Sequence, residues 1–165
     1  MSTKLIATLE TSKGTIRFEL LTQDAPKTTE NFKLLADRGY YQGIIFHRVI
    51  NGFMIQGGDP TGTGAGGESV WGRTFADEIN PSSAIYQTGY VPGTVAMANR
   101  GPNTNGSQFF IMHKRAALPP NYTIFGRVIA GQDVVDAIAT TPTDHRDRPL
   151  TPVTIQRATV EEVNA

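Results

Sequence analysis

The run Phe46-His47-Arg48-Val49-Ile50-Asn51-Gly52-Phe53-Met54-Ile55-Gln56-Gly57-Gly58-Asp59 places two short apolar segments on either side of an Asn-Gly pair. Asn-Gly between strand-forming residues is a strong local signal for a β-hairpin, because both residues tolerate the positive φ angles of a tight turn. The run also holds an arginine and a glutamine among large apolar side chains. We therefore predict two paired antiparallel strands.

The length of the hairpin loop sets which polar side chains share a face. A two-residue turn at the Asn-Gly pair would place Arg48 opposite Ile55 and send Gln56 to the other face. A three-residue loop with Gly52 in the left-handed conformation instead pairs Arg48 with Gln56. Since a slip of one residue inverts the faces of a strand, the two registers predict different surfaces. We favour the three-residue loop, because it gathers Arg48 and Gln56 beside the apolar Met54.

The apolar periodicity changes along the rest of the chain. Residues 5–9 and 16–20 alternate apolar and polar side chains around a polar turn, which is typical of another β-hairpin. A helix is predicted to begin near Pro26, continue with apolar residues at helical spacing and stop at Gly39. A second helix is predicted at residues 132–139.

The remaining apolar segments are short and are separated by Gly and Pro. They lie at residues 44–50, 53–56, 94–98, 108–112, 123–128 and 153–160. Seven or eight short strands with two helices favour a closed β-barrel or a β-sandwich, plugged by helices in either case. The pattern alone does not distinguish the two.

The composition bounds the class of protein. A length of 165 residues is typical of one domain, so we expect a single domain over residues 1–165. Fifteen basic residues balance fifteen acidic ones, which gives no concentrated positive field for nucleic acid or an anionic membrane. The N-terminal segment becomes polar too early for a secretory signal, and no apolar run reaches the length of a spanning helix. The chain has no cysteine, which excludes thiol chemistry. We expect a cytoplasmic location.

Three common kinds of site find little support in the sequence. The histidines His47, His113 and His145 do not follow a metal-binding spacing, so neither a metal nor another cofactor is expected. The chain lacks the G-x-S-x-G motif of many serine hydrolases. Residues 62–67 match G-x-G-x-x-G, but the residues that follow lack the helical periodicity that a dinucleotide site requires. A flexible glycine loop is the simpler interpretation.

Three runs of the sequence are distinctive when taken together. They are the run 46–59, the run Met97-Ala98-Asn99-Arg100-Gly101-Pro102-Asn103-Thr104-Asn105-Gly106-Ser107-Gln108-Phe109-Phe110-Ile111 and the block Phe125-Gly126-Arg127-Val128. Together they resemble the signature of cyclophilin-type peptidyl-prolyl cis-trans isomerases. Similarity extends to residues 26–32 and 75–78, and covers about 15–160. The resemblance implies a mainly β fold, a closed eight-stranded antiparallel β-barrel capped by two α-helices. It also implies an enzyme that speeds rotation about X-Pro bonds in protein substrates and so assists protein folding.

The resemblance further implies roles for individual residues. Arg48 matches the catalytic arginine, which would stabilise the twisted prolyl amide without a covalent intermediate. The proline-ring pocket is matched by Phe53, Met54, Phe110 and Leu118, and the residues that hold the peptide backbone are matched by Gln56, Ala98, Asn99 and Gln108. Tyr122 completes the expected substrate-binding set; it stands where the best-known eukaryotic members have a histidine and resembles the shorter bacterial-type members.

The implied partners are proline-containing polypeptides, and the chain is expected to be a monomer. Ala117 stands where the best-known members have a tryptophan at the pocket rim, so a cyclosporin-type macrocycle is expected to bind with reduced affinity. The alternative function is a non-catalytic proline-binding or chaperone module on the same barrel. Loss of the arginine would favour that alternative, but Arg48 is present.

Overall fold

The computed structural model describes residues 3–164. Along the chain the elements are β1 (Thr3–Thr11), β2 (Gly14–Leu20), α1 (Pro26–Asp37), β3 (Arg48–Ile50), β4 (Met54–Gly57), α2 (Ala84–Thr88), β5 (Thr94–Met97), β6 (Phe109–Met112), β7 (Ile124–Ala130), α3 (Gln132–Ala139) and β8 (Ile155–Asn164). The predicted first hairpin and both predicted helices are confirmed. The one-turn helix α2 was not predicted, because five residues are too few to show a helical period.

The eight strands form one antiparallel sheet in the order β3-β4-β6-β5-β7-β2-β1-β8. The predicted closure needs a correction, since no ladder within residues 3–164 pairs β3 with β8. Instead the Gly43 N–H donates to the Ile155 carbonyl (2.7 Å), the Ile155 N–H to Ile44 (2.8 Å) and the Phe46 N–H to Val153 (2.9 Å). The sheet is therefore a curled half-barrel with a bridged seam, because β3 has three residues where a longer strand was predicted at 44–50.

The hairpin of β3 and β4 has the three-residue loop that we favoured. Arg48 pairs with Gln56, and Ile50 pairs with Met54. Gly52 has a φ angle of 82°, which a residue with a Cβ adopts only at a cost in conformational energy. This register puts Arg48 and Gln56 on one face of the sheet, beside Met54.

The N-terminus of α1 is capped from a distant loop. Its N-cap residue, Ala25, makes no side-chain cap, and Pro26 at the first helical position has no N–H to satisfy. The carboxylate of Glu78 accepts the backbone N–H groups of Lys27 (3.1 Å) and Thr28 (2.7 Å). A negative charge at the positive end of the helix thus replaces the missing local cap.

The main core lies between α1 and the inner face of the sheet. Phe32 of α1 is 1% exposed, and its ring centroid lies 5.4 Å from Phe18, 5.0 Å from Tyr41 and 5.7 Å from Phe109. Burying a side chain of this size contributes about 1.5–3 kcal/mol. Tertiary packing therefore holds α1 in place.

A second, smaller apolar cluster lies on the opposite face of the central strands. Side chains alternate across a strand, so Phe109 enters the main core while its neighbour Phe110 enters the second cluster. The buried members are Met54, Tyr90, Ala96, Phe110, Met112 and Ile124. This outer cluster is the base on which the candidate site is built. None of the helices within residues 3–164 combines the length and apolarity needed to cross a membrane.

Candidate functional site

A cavity of about 160 Å³ opens above the outer apolar cluster. It is lined by Arg48, Phe53, Met54, Gln56, Ala98, Asn99, Phe110, Leu118 and Tyr122. The fold thus brings together nine of the ten predicted site residues, from strands and loops spread over more than seventy positions of the sequence. Gln108 is the residue that does not line this cavity.

The floor of the cavity is apolar and consists of buried, closely packed side chains. Met54 on β4 and Phe110 on β6 are 2% and 5% exposed. The register of these two strands pairs Gln56 with Phe110, which sets the polar wall directly beside the floor. The ring of Tyr122 meets Phe110 edge to face, with centroids 5.6 Å apart. An apolar floor with a few fixed polar groups is the usual composition of a small-ligand site.

The polar wall is a chain of side-chain hydrogen bonds. Arg48 Nη1 donates to Gln56 Oε1 (3.3 Å), and Gln56 Nε2 donates to Gln108 Oε1 (3.0 Å). Gln108 Nε2 donates in turn to the carbonyls of Gly64 and Gly66, both at 2.9 Å. Gln108 therefore lies one step behind the cavity, where it supports Gln56 and lines a neighbouring cleft of about 440 Å³. Its amide is engaged with protein groups at each end.

The glycine-rich loop that receives Gln108 is held together by one buried carboxylate. Asp59 is 1% exposed and accepts the backbone N–H groups of Thr61 (2.8 Å), Gly64 (2.7 Å) and Gly66 (3.0 Å). Burial raises the pKa of Asp59, but the hydrogen bonds from Gly66, Thr61 and Gly64 outweigh it and lower the pKa to about 2. The sequence suggested a flexible loop. An Asp just before a glycine run, able to bond the N–H groups after it, was the signal that we missed.

Arg48 is the one charged side chain among the described residues that line the cavity. Its neighbour His47 is buried, and burial lowers the pKa of this imidazole. Asp59 opposes that shift, while Arg148 and Arg48 add to it. His47 thus favours its neutral form, so that the exposed guanidinium of Arg48 supplies the positive charge at the cavity wall.

Two loops complete the rim, and each is tied by a specific hydrogen bond. The Tyr90 hydroxyl donates to the carbonyl of Tyr122 (2.6 Å), and burial raises the pKa of Tyr90 to about 12. Asn99 Nδ2 donates to the carbonyl of Asn121 (2.8 Å), and Asn99 Oδ1 accepts the N–H of Gly101 (3.1 Å). With its side chain occupied in this way, Asn99 can offer its main-chain groups at the cavity. Sequence reasoning did not find the role of Tyr90, which lies 32 positions from Tyr122.

A protein-family model matches residues 6–160, and it describes the cyclophilin-type peptidyl-prolyl cis-trans isomerases. Among curated proteins, the peptidyl-prolyl cis-trans isomerase-like 1 of Neurospora crassa is 54% identical over 153 residues, covering 92% of this chain and 91% of the relative. A peptidyl-prolyl cis-trans isomerase of Schizosaccharomyces pombe, ppi1, is 52% identical over 151 residues, covering 91% of this chain and 95% of the relative.

Solved structures agree with the sequence comparisons. A cyclophilin-type isomerase of Cryptosporidium parvum is 40% identical and superposes with a TM-score of 0.89, over 98% of this chain and 99% of that one. A second crystal structure of that protein, in the presence of the dipeptide Ala-Pro, gives a TM-score of 0.87 at 41% identity and covers 94% of this chain and 98% of that one. The chain belongs to the family of cyclophilin-type peptidyl-prolyl cis-trans isomerases.

Proposed function

We propose that this isomerase acts on X-Pro bonds in polypeptides by seating the proline ring on the apolar floor and stabilising the twisted amide with Arg48. The observation that carries the proposal is the cavity itself, in which Arg48 stands at the edge of a floor made by Met54 and Phe110. Proline is an apolar ring attached to a polar amide. The cavity offers a matching apolar surface and a hydrogen-bond donor side by side.

The chemistry needs electrostatic help rather than a covalent intermediate. Rotation about the X-Pro bond destroys amide resonance and crosses a barrier of about 18–20 kcal/mol. Lowering this barrier by about 1.4 kcal/mol raises the rate tenfold. Only interactions that are stronger in the twisted state than in the planar states lower the barrier. As the bond twists, the prolyl nitrogen becomes pyramidal and regains a lone pair that can accept a hydrogen bond.

Arg48 is suited to donate that hydrogen bond. Its guanidinium is always charged, and it has donors to spare after one of them bonds to Gln56 at 3.3 Å. The chain of Gln56 and Gln108 fixes the direction of the guanidinium, because Gln108 is anchored in turn on the glycine loop. The apolar floor excludes water on one side and so strengthens the contribution of the charge.

Exchange spectroscopy by NMR on an Ala-Pro peptide tests the proposal. Uncatalysed cis-trans exchange takes roughly tens to hundreds of seconds at 25 °C, so catalysis gives cross-peaks between cis and trans signals that are absent without the protein. The alternative function, a non-catalytic proline-binding module, predicts shifted peptide signals without those cross-peaks. Shifts alone would therefore overturn the catalytic role and support the binding module.

The partners and the setting are part of the same proposal. Proline-containing polypeptides are the substrates, and assistance to protein folding is the expected outcome. A cyclosporin-type macrocycle is proposed as a ligand of reduced affinity, since Ala117 is exposed next to the cavity residue Leu118 and offers little surface at the rim. A monomeric state and a cytoplasmic location are also proposed; light scattering tests the first and imaging of the tagged protein tests the second.

A further inference from the structure

The loop that joins β3 to β4 carries part of the site but has little support of its own. It consists of Asn51, Gly52 and Phe53; the first two are exposed, and Phe53 lines the cavity. Within the loop, the Phe53 N–H donates to the carbonyl of Ile50 at 3.0 Å. The position of the Phe53 ring therefore depends on what holds this loop from outside.

His113, the residue after β6, holds the loop at two points. Its Nδ1 accepts the N–H of Gly52 at 3.0 Å, and its own backbone N–H donates to the carbonyl of Phe53 at 2.8 Å. The imidazole is 5% exposed, so this contact is shielded from water. In the sequence, His113 is noted only because the three histidines do not follow a metal-binding spacing.

The third contact of His113 fixes its ring. Nε2 lies 3.2 Å from Oδ1 of Asp136 on α3. A backbone N–H can only donate, so Nδ1 must be the unprotonated nitrogen towards Gly52, and in the neutral ring Nε2 carries the hydrogen towards Asp136. A neutral His113 can therefore hydrogen-bond to both Gly52 and Asp136. Its imidazole links α3 to the loop at the cavity.

We infer that His113 is a positioning residue for the isomerase reaction: it fixes Phe53 in the cavity by accepting the N–H of Gly52, and Asp136 orients its ring. This inference rests on the proposed role of Phe53 as part of the proline-ring pocket. His113 is not among the residues that line the cavity. Its effect on the rate comes from holding the ring of Phe53 in register with Arg48, at the other end of the same hairpin.

Two variants with amide side chains distinguish the loss of the hydrogen bond to Gly52 from the loss of side-chain packing at position 113. In asparagine, Oδ1 is two bonds from Cβ, as Nδ1 is in histidine, so His113→Asn keeps an acceptor for Gly52. In glutamine the amide atoms are three bonds from Cβ, as Nε2 is in histidine, so His113→Gln keeps a contact to Asp136 and loses the acceptor. The exposed His145, changed to Gln, is the matched control.

Two readouts are measured on each folded variant: kcat/KM for an Ala-Pro peptide and hydrogen exchange of the Gly52 amide. We expect His113→Asn to stay within about threefold of wild type in both readouts, since it keeps the hydrogen bond to Gly52 and loses only the contact with Asp136. His113→Gln should lower kcat/KM by about 3–30-fold, as misplaced binding groups do. It should also speed Gly52 exchange by about fivefold or more. Equal behaviour of the two amide variants in either readout would overturn the inference.

Three further variants keep the outcome unambiguous. Phe53→Ala should lower kcat/KM about tenfold or more. If it does not, the proposed pocket fails; if it does while the amide variants behave alike, the inference about His113 alone fails. Should His113→Gln not fold, Asp136→Ala takes its place against Asp133→Ala, an exposed acid on the same helix. Asp136→Ala should speed Gly52 exchange and lower kcat/KM, and no change in either contradicts the inference.

Discussion

In the proposed mechanism, Arg48 acts through its surroundings as much as through its charge. Gln56 accepts one of its N–H groups, Gln108 holds Gln56, and the carbonyls of Gly64 and Gly66 hold Gln108. The side chain of Arg48 is exposed and would otherwise be free to move. This chain of hydrogen bonds limits the directions in which its guanidinium points. Pre-organised donors of this kind cost no rearrangement when the transition state forms.

Ala117 gives a prediction at the scale of one side chain. Ala117→Trp should strengthen the binding of a cyclosporin-type macrocycle. Alanine at this position is expected to cost about 1–3 kcal/mol of binding free energy, or roughly 5–200-fold in affinity, and the tryptophan should recover part of it. The reason is that an indole at the rim adds an N–H donor and a large apolar face that alanine lacks. Titration calorimetry on both proteins measures the change, with Ala137→Trp on an exposed position of α3 as the control. Affinity already in the low nanomolar range before the change, or unmoved by it, would show that position 117 is not at the rim.

At the scale of an element, the glycine loop depends on the ionised form of Asp59. The pKa of Asp59 is about 2 in the folded protein against an ordinary value of 3.8. A lowered folded-state pKa means that the stabilisation is fully present above about pH 4 and is lost as the pH falls towards 2. The difference between these pKa values corresponds to about 2 kcal/mol.

Asp59→Asn tests this dependence. The amide can no longer accept three N–H groups, so the free energy of unfolding should drop by about 1–3 kcal/mol at pH 7. The difference in free energy of unfolding between the variant and the wild type should shrink as the pH is lowered from 4 to 2. Urea titrations at each pH measure it. Asp37→Asn, which removes an exposed i,i+4 ion pair with Lys33, should change stability by less than about 0.5 kcal/mol. A gap of constant size down to pH 2 would contradict the role of the carboxylate.

The β3–β4 hairpin shows which elements the sequence determines locally. Its register followed from Gly52 and from the preference of Arg48 and Gln56 for a common face. All the residues in that argument lie within nine positions. The closure of the sheet did not follow in the same way, because Gly43 bonds to Ile155 more than a hundred positions away. Pairing across such separations depends on the curvature of the whole sheet.

At the scale of the molecule, the candidate site residues were predicted from resemblance to a family, while the bonds between them required the structure. Nine of the ten predicted residues line one cavity. The link from Gln56 to Gln108 spans 52 positions, and the link from Gly52 to His113 spans 61. No local pattern marks either partner, since glutamine and histidine at those positions also fit an ordinary polar surface. This is why the support of Gln56 by Gln108 and of the Phe53 loop by His113 was missed.

At the same scale, we predict that isomerase activity does not depend on metal ions. Among residues 3–164, no group of three or more His, Asp or Glu side chains is arranged to hold a metal ion. Dialysis against EDTA should therefore leave kcat/KM within about twofold, because the mechanism needs a donor and an apolar floor and no Lewis acid. Activity that falls on dialysis and returns with one added metal would reveal a site that the proposed mechanism lacks.

The most direct test of the mechanism is the catalysed exchange rate of an Ala-Pro peptide with wild-type protein and with Arg48→Ala. Removing one transition-state donor should lower kcat/KM by about 10²–10³ while the fold is retained. Arg157→Ala, which removes an exposed arginine from β8, should stay within about twofold. Circular dichroism confirms the fold of each variant. A folded Arg48→Ala protein that keeps nearly wild-type isomerase activity would contradict the proposal that Arg48 stabilises the twisted amide.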